Sequence, residues 1–363
     1  MGPEERAHWI AYLYFHAEKA LLGRAAEDAR TLTEGVSDPT IVKARQLAQY
    51  EQYARHLLDE THQQVLRELH QLIEDAANEG RAAALLDLQQ LGYQASIMPD
   101  QHRMIELIVR DLELTLNGVP AHALRNAVDI YQQTQAVASG QVALGALTRI
   151  DATQYALDAL TRQGITAFID KAGRKWGADT YIEMATRTGA MNTTIQTKLD
   201  TYQRNDMPLV YVSDSPRECD LCRPWENQIL TVDGMTGTRT VRSITTGEPT
   251  TVNVVATVEQ ARAQGLLHPN CTHNITAYLP GATRHDVPTK DNPEQYQATQ
   301  KQRYYERQVR QWTLRRETAI TVDARILADD KVREWSDKID EVVATGAPAM
   351  RRRPEREDPF TAR

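Results

Sequence analysis

The chain has 363 residues, enough for two or three domains and a substantial core, and its 41% hydrophobic and 25% charged residues are ordinary for a globular protein. A formal net charge of -7 argues against a dedicated high-affinity nucleic-acid binder while leaving room for a local basic patch. No stretch approaches the roughly 18 consecutive apolar residues of a membrane-spanning helix, and three cysteines give no disulfide framework.

The N-terminal stretch is interrupted by Glu18 and Lys19, with acids before its apolar part. It makes a poor signal peptide and a good amphipathic helix, so a reducing cytoplasm, or a particle assembled in one, is the expected setting. From Ala7 to Leu22, Ile10, Leu13, Tyr14, Ala17, Ala20 and Leu21 recur at helical spacing. Val65, Leu66, Leu69, Leu72 and Ile73 repeat the pattern in "HQQVLRELHQLIEDAANEGRAAALLDLQQLG", and Ile105, Ile108 and Leu112 do so before a stop at Gly118 and Pro120. Helical patterns then cover Ala121–Ala136, Gln141–Leu160 and Gly164–Met191. Residues 1–205 are therefore expected to form a helical region.

The character changes after "NDMP". Leu209, Val210, Tyr211 and Val212 form an apolar run rich in β formers. Thr-, Val- and Gly-rich sequence follows and predicts short strands, a hairpin turning near Gly247, and a short helix over Val258–Gln264. Residues 206–282 thus make a β-rich module. A polar linker leads to C-terminal helices within residues 283–350, where Val332, Trp335, Ile339, Val342 and Val343 share one face. Residues 351–363, "RRRPEREDPFTAR", form a charged tail expected to order only against a partner. The fold class expected is α+β, predominantly helical, with a small β-rich module in the C-terminal half.

All three cysteines fall in that module. Cys219 and Cys222 form a C-x2-C step just after a predicted strand, and His268, Cys271 and His273 lie in a second loop. A tight turn lets two sulfurs converge on one point, and the intervening strands can fold back to bring the loops together. Zn²⁺ takes four nitrogen or sulfur ligands, and five candidates are present. Cys219, Cys222 and Cys271 are common to every arrangement. His268 gives an H-x2-C step that matches the first loop, His273 is the alternative, and whichever is not a ligand can hydrogen-bond from behind. Four protein donors leave no position for water, so such a metal is structural. The bland alternative is buried free thiols beside surface histidines.

At these residues the chain resembles the phage minor capsid protein 2 family, and more loosely the Mu F-like head proteins. The resemblance is carried by "YVSDSPRECDLCRPWENQIL", "LLHPNCTHNITAYLPG", "YIEMATRTGAMNTT" and an R-x-x-E-R-x-x-R-x-W helix filled by Arg303, Glu306, Arg307, Arg310 and Trp312. These motifs span Tyr181 to Arg353. One departure is Asn227-Gln228, where a glycine is common. The resemblance implies a low-copy structural protein of a tailed-phage head near the portal vertex, present in several copies in a symmetric assembly. It would be found in the virion and, during assembly, in the host cytoplasm. Expected partners are portal or major capsid protein and the packaged double-stranded DNA, with no membrane contact. Arg303, Arg307, Arg310, Arg351, Arg352 and Arg353 are the candidate phosphate or partner contacts, although a terminal charge run more often serves solubility.

Two enzymatic readings compete. A zinc-stapled nuclease of the HNH or treble-clef kind needs a further general-base histidine, for which His285 beside Asp286 is the nearby candidate. An ADP-ribosyltransferase needs a Glu-x-Glu pair, here Glu355 and Glu357, and an arginine such as Arg187 beside Thr188. Walker, G-x-S-x-G, H-E-x-x-H and G-x-G-x-x-G motifs are absent from the sequence. The expectation is no enzymatic activity.

Overall fold

In the computed structural model the described residues are 1–31, 39–93, 102–143, 148–164, 166, 168–169, 173–215, 219–243, 245–269, 271, 273–283, 293–346 and 350–357. The chain divides into two compact units, each assembled from separated segments: residues 1–4, 70–112 and 184–300 in the first, and residues 5–69, 113–183 and 301–363 in the second. Helices dominate both. They are α1 (Pro3–Thr31), α2 (Pro39–Gln90), α3 (His102–Leu116), α4 (Val119–Ala143), α5 (Arg149–Gln163), α6 (Ala178–Arg204), α7 (Val258–Ala263), α8 (Pro293–Thr318), α9 (Val322–Thr345) and the single turn α10 (Pro354–Glu357). None of the described helices is long and apolar enough to cross a membrane.

Most of the helices form where the apolar period predicts them. Along α2 the buried positions run Tyr50, Ala54, Leu58, Val65, Leu69, Leu72, Ile73, Ala76, Ala84 and Leu88, an unbroken stripe at helical spacing. Gly80 continues the stripe because something crosses there. A Cβ at this position would lie 2.4 Å from the Thr194 carbonyl oxygen of α6, and the Thr194 hydroxyl donates to the Ala76 carbonyl at 3.1 Å. Gly80→Ala should therefore force the two backbones apart and destabilise the first unit by about 1–3 kcal/mol in denaturant titration, as overpacking does; an unchanged midpoint would refute the close crossing.

The first unit also holds all the larger sheet. Strands β3 (Leu209–Val212), β4 (Ile229–Thr231), β7 (Ala256–Thr257) and β8 (Ile275–Ala277) lie in the order β7-β4-β3-β8. β3 pairs antiparallel with β4 and β8, with Val210 opposite both Leu230 and Ala277, and β4 pairs in parallel with β7. Every residue of β3 is buried, because each face has its own cover. Alternation sends Val210 and Val212 into a core with Leu88, Ile195, Leu199, Tyr202, Cys222 and Trp225, and Leu209 toward Val252 and Val254. Those two valines belong to the hairpin of β5 (Gly237–Arg242) and β6 (Pro249–Val254), which turns at Gly247 as its sequence predicts.

A buried ion pair joins this unit's helices to the module. Lys198 Nζ of α6 lies 3.3 Å from Asp87 Oδ2 of α2, and donates to Asn274 Oδ1 at 3.3 Å. The Tyr202 hydroxyl donates to the same Asp87 carboxylate. Burial beside that carboxylate pushes the Tyr202 phenol far above its ordinary range.

Among the described residues the second unit is helical apart from a two-residue pairing of β1 (Phe168–Ile169) with β2 (Lys175–Trp176). Its core carries stacked Tyr50 and Tyr131, with centroids 4.1 Å apart, and the Tyr131 hydroxyl donates to Asp28.

Three expectations need correction. The helix predicted over Gln141–Leu160 is divided between the end of α4 and α5, which starts at Arg149 where the Thr148 hydroxyl accepts the Asp151 N–H at 3.1 Å. The helix predicted over Gly164–Met191 is instead this small strand pair followed by α6, which starts only at Ala178 and runs on to Arg204. Gly173 takes a φ of +78°, the left-handed region where glycine turns a chain and a helix cannot continue. The expectation that residues 351–363 order only against a partner also fails for residues 351–357. Arg352 binds Asp340 at 2.7 Å and Glu357 at 2.6 Å, Gln302 donates to the Arg351 carbonyl, and Arg310 donates to the Arg356 carbonyl. Residues 358–363 lie outside the described residues.

Candidate metal centre

The two cysteine loops meet at one corner of the first unit. The first loop leaves β3, and its Cys219-x2-Cys222 step is closed by the Cys222 N–H donating to the Cys219 carbonyl at 3.0 Å. A 3-10 turn at Arg223–Trp225 follows, with Pro224 preset for its start and Trp225 buried in the core. The turn ends at Asn227, whose φ is +60°. Asparagine tolerates that conformation, its side-chain oxygen accepts from the Tyr211 hydroxyl, and its amide donates to Asp214. The departure from glycine noted in the sequence is thereby accommodated.

The second loop follows α7, whose start is held by a capping box between Thr257 and Gln260. Leu267 then takes a φ of +61° with its side chain buried, a conformation that costs a non-glycine residue about 1–3 kcal/mol. That strained residue turns the chain so that His268 enters the site. The His268-x2-Cys271 step is closed like the first, by Cys271 N–H on the His268 carbonyl at 2.9 Å.

All five expected donors are brought together. Cys219 Sγ lies 2.9 Å from His268 Nε2, Cys222 Sγ lies 3.5 Å from Cys271 Sγ, and Cys271 Sγ lies 3.3 Å from His273 Nδ1. They fall into two groups, Cys219–Cys222–His268 and Cys222–Cys271–His273, each with its donor atoms within 4.8 Å of one another. Cys222 is shared by both and fully buried. Three sulfurs and two imidazoles converging from two tight turns are the donor chemistry that zinc favours. No disulfide joins the three cysteines. This group is able to hold a metal ion.

The electrostatics favour a thiolate at Cys271. A hydrogen bond from Cys222 stabilises its charged form, burial opposes this, and contacts from His273 add to it, so the thiol is pulled below its ordinary range. The same hydrogen bond, with burial, pushes Cys222 up. Burial disfavours a charged His273, but its contacts with Cys271 and Glu226 outweigh that and raise its pKa.

Glu226 is the participant that sequence reasoning missed. Its Oε1 lies 2.6 Å from His273 Nε2 and accepts the Ser215 N–H at 3.2 Å. Nothing periodic marks an acid at the end of a 3-10 turn. Lys198 was also missed, although it left a signal: a lysine amid Ile195, Leu199 and Tyr202 on a buried stripe requires a partner.

The candidate arginines are scattered in use, all within the second unit. Arg310 binds Asp179 at 3.4 Å, and Arg352 is held by Asp340 and Glu357. Arg307 and Arg351 are exposed, whereas Arg303 and Arg353 are half-buried. His285 and Asp286 lie outside the described residues. Glu357, part of the Glu-x-Glu step, is buried and bound to Arg352, and Arg187 faces Glu4 at 3.8 Å.

Fold and site together define a helix-rich α+β protein carrying a cysteine–histidine clasp in a small sheet module. Among protein families, that of Phage minor capsid protein 2 matches residues 4–344. The chain belongs to this family, and its role is accordingly a structural one in a phage capsid. No curated protein and no solved structure matches it at a significant level.

Proposed function

We propose that this chain is a low-copy head protein of a tailed phage, placed near the portal vertex in a symmetric assembly and contacting portal or major capsid protein. The observation that carries the reading is a family match extending over nearly the whole chain. The protein assembles in the host cytoplasm and ends in the virion. Contact with packaged DNA would draw on Arg307 and Arg351, which are exposed, and not on Arg310 and Arg352, which serve internal carboxylates.

The clasp holds a structural zinc on Cys219, Cys222, Cys271 and one histidine. Such a set has no open position for water or phosphate, which supports a non-catalytic role. The zinc closes the base of a sheet whose strands are only 2–4 residues long.

Quantitative mass spectrometry of purified virions tests the placement. The protein is expected at a copy number far below that of the major capsid protein and enriched in particles that retain the portal. Recovery only from infected-cell cytosol would overturn it. Cleavage of plasmid DNA by the purified chain with added divalent metal would favour a nuclease instead.

A further inference from the structure

The clasp offers five donors, and tetrahedral zinc takes four. We propose that His268 completes the set with Cys219, Cys222 and Cys271, and that His273 and Glu226 form a brace behind Cys271 that fixes its sulfur and sets the metal affinity. This rests on the zinc reading above.

The hydrogen bond behind His268 leaves that ring a lone pair for the metal. His268 Nδ1 faces the Pro269 carbonyl at 2.8 Å. A carbonyl only accepts, so Nδ1 carries the hydrogen and Nε2 presents its lone pair toward the thiols, 2.9 Å from Cys219 Sγ. The backbone agrees, because the Cys219–Cys222 and His268–Cys271 steps are closed by the same hydrogen bond at 3.0 and 2.9 Å. Two matched turns facing each other supply two donors apiece.

His273 is placed differently. Its backbone N–H lies 3.4 Å from Cys271 Sγ, and its Nδ1 lies 3.3 Å from that same sulfur. Both contacts bear on one atom, which is how outer groups hold a thiolate in position. Its Nε2 meets Glu226 at 2.6 Å, and the two side chains are only 2% and 11% exposed. Glu226 is fixed in turn by the Ser215 N–H, and the neighbouring Asn274 is pinned by Lys198. The brace therefore links Cys271 to the loop that leaves β3, and the adjoining Asn274 to α6.

The test loads the full chain with cobalt and measures affinity by chelator competition. The wild type and both His273→Ala and Glu226→Gln should show the charge-transfer spectrum of three thiolates and one imidazole. The two variants should bind about 10–100-fold more weakly, as outer-group losses do. His268→Ala should lose the imidazole signature. In the cadmium-loaded wild-type chain, which needs no substitution, metal–nitrogen scalar coupling should appear at His268 Nε2 and not at His273 Nδ1. Coupling at His273 Nδ1, or unchanged affinity in Glu226→Gln, would overturn the brace while leaving the zinc reading intact. A wild type that binds neither zinc nor cobalt overturns both.

Discussion

Replacing Cys222 with serine is expected to abolish metal binding and melt the sheet of the first unit. Cys222 is fully buried and belongs to both donor groups, so its loss removes the one sulfur that joins them. The strands it anchors contribute few paired residues, and the loops they hold together are joined by no disulfide. A structural zinc supplies about 10–16 kcal/mol in small zinc-dependent folds, as much as or more than the whole stability of a typical domain. Hydrogen exchange should accelerate across β3, β4 and β8 in the variant while the helices of the second unit stay protected. Protein purified without chelator should carry about one zinc per chain; less than about half an equivalent would defeat the zinc reading. Cys222 also packs in the apolar core, so the two roles need separating. Chelator added to the wild type should reproduce the variant's exchange pattern. If it does not, Cys222 acts only as a buried hydrophobe.

Removing Asp87 should be the costliest single change among the helices of the first unit. Lys198 is 3% exposed at its side chain and Asp87 22%, and the pair also holds the Tyr202 hydroxyl and reaches Asn274 beside the clasp. Asp87→Ala leaves a buried ammonium with one neutral acceptor, a defect that costs about 3–5 kcal/mol. The double variant Asp87→Ala, Lys198→Met takes out both charges and should recover much of that loss, because an apolar stem then fills the space. Denaturant titration of the two single variants and the double variant checks this. Additive losses would mean that the two charges do not interact.

The two predictions differ in how visible they were in the sequence. The C-x2-C and H-x2-C steps are local, and each folds into its turn through a hydrogen bond spanning three residues. Their donors were therefore legible residue by residue. Most helices were legible too, because a stripe such as Tyr50 to Leu88 on α2 repeats the helical period for many turns. The strand pair at residues 168–176 was hidden because its segment has both apolar residues and helix formers. Only the left-handed Gly173 and the pairing across it break the pattern. The internal use of Arg310 and Arg352 was hidden as well, since a basic run in sequence carries no sign of the carboxylates that meet it.

By itself the sequence determined the helix-rich class, the position and turn structure of the β-rich module, and the five donors able to form a clasp. Periodicity and short-range hydrogen bonding act over a few residues, so they are written locally. Tertiary structure alone decided that the donors form two overlapping groups around Cys222 and that Glu226 lies on His273. It also decided that Asp87 neutralises Lys198 and that Thr194 demands a glycine at position 80. Each of these contacts joins residues tens to more than a hundred positions apart. Burial determines them, because a charge or backbone group removed from water must meet whatever partner the fold brings to it.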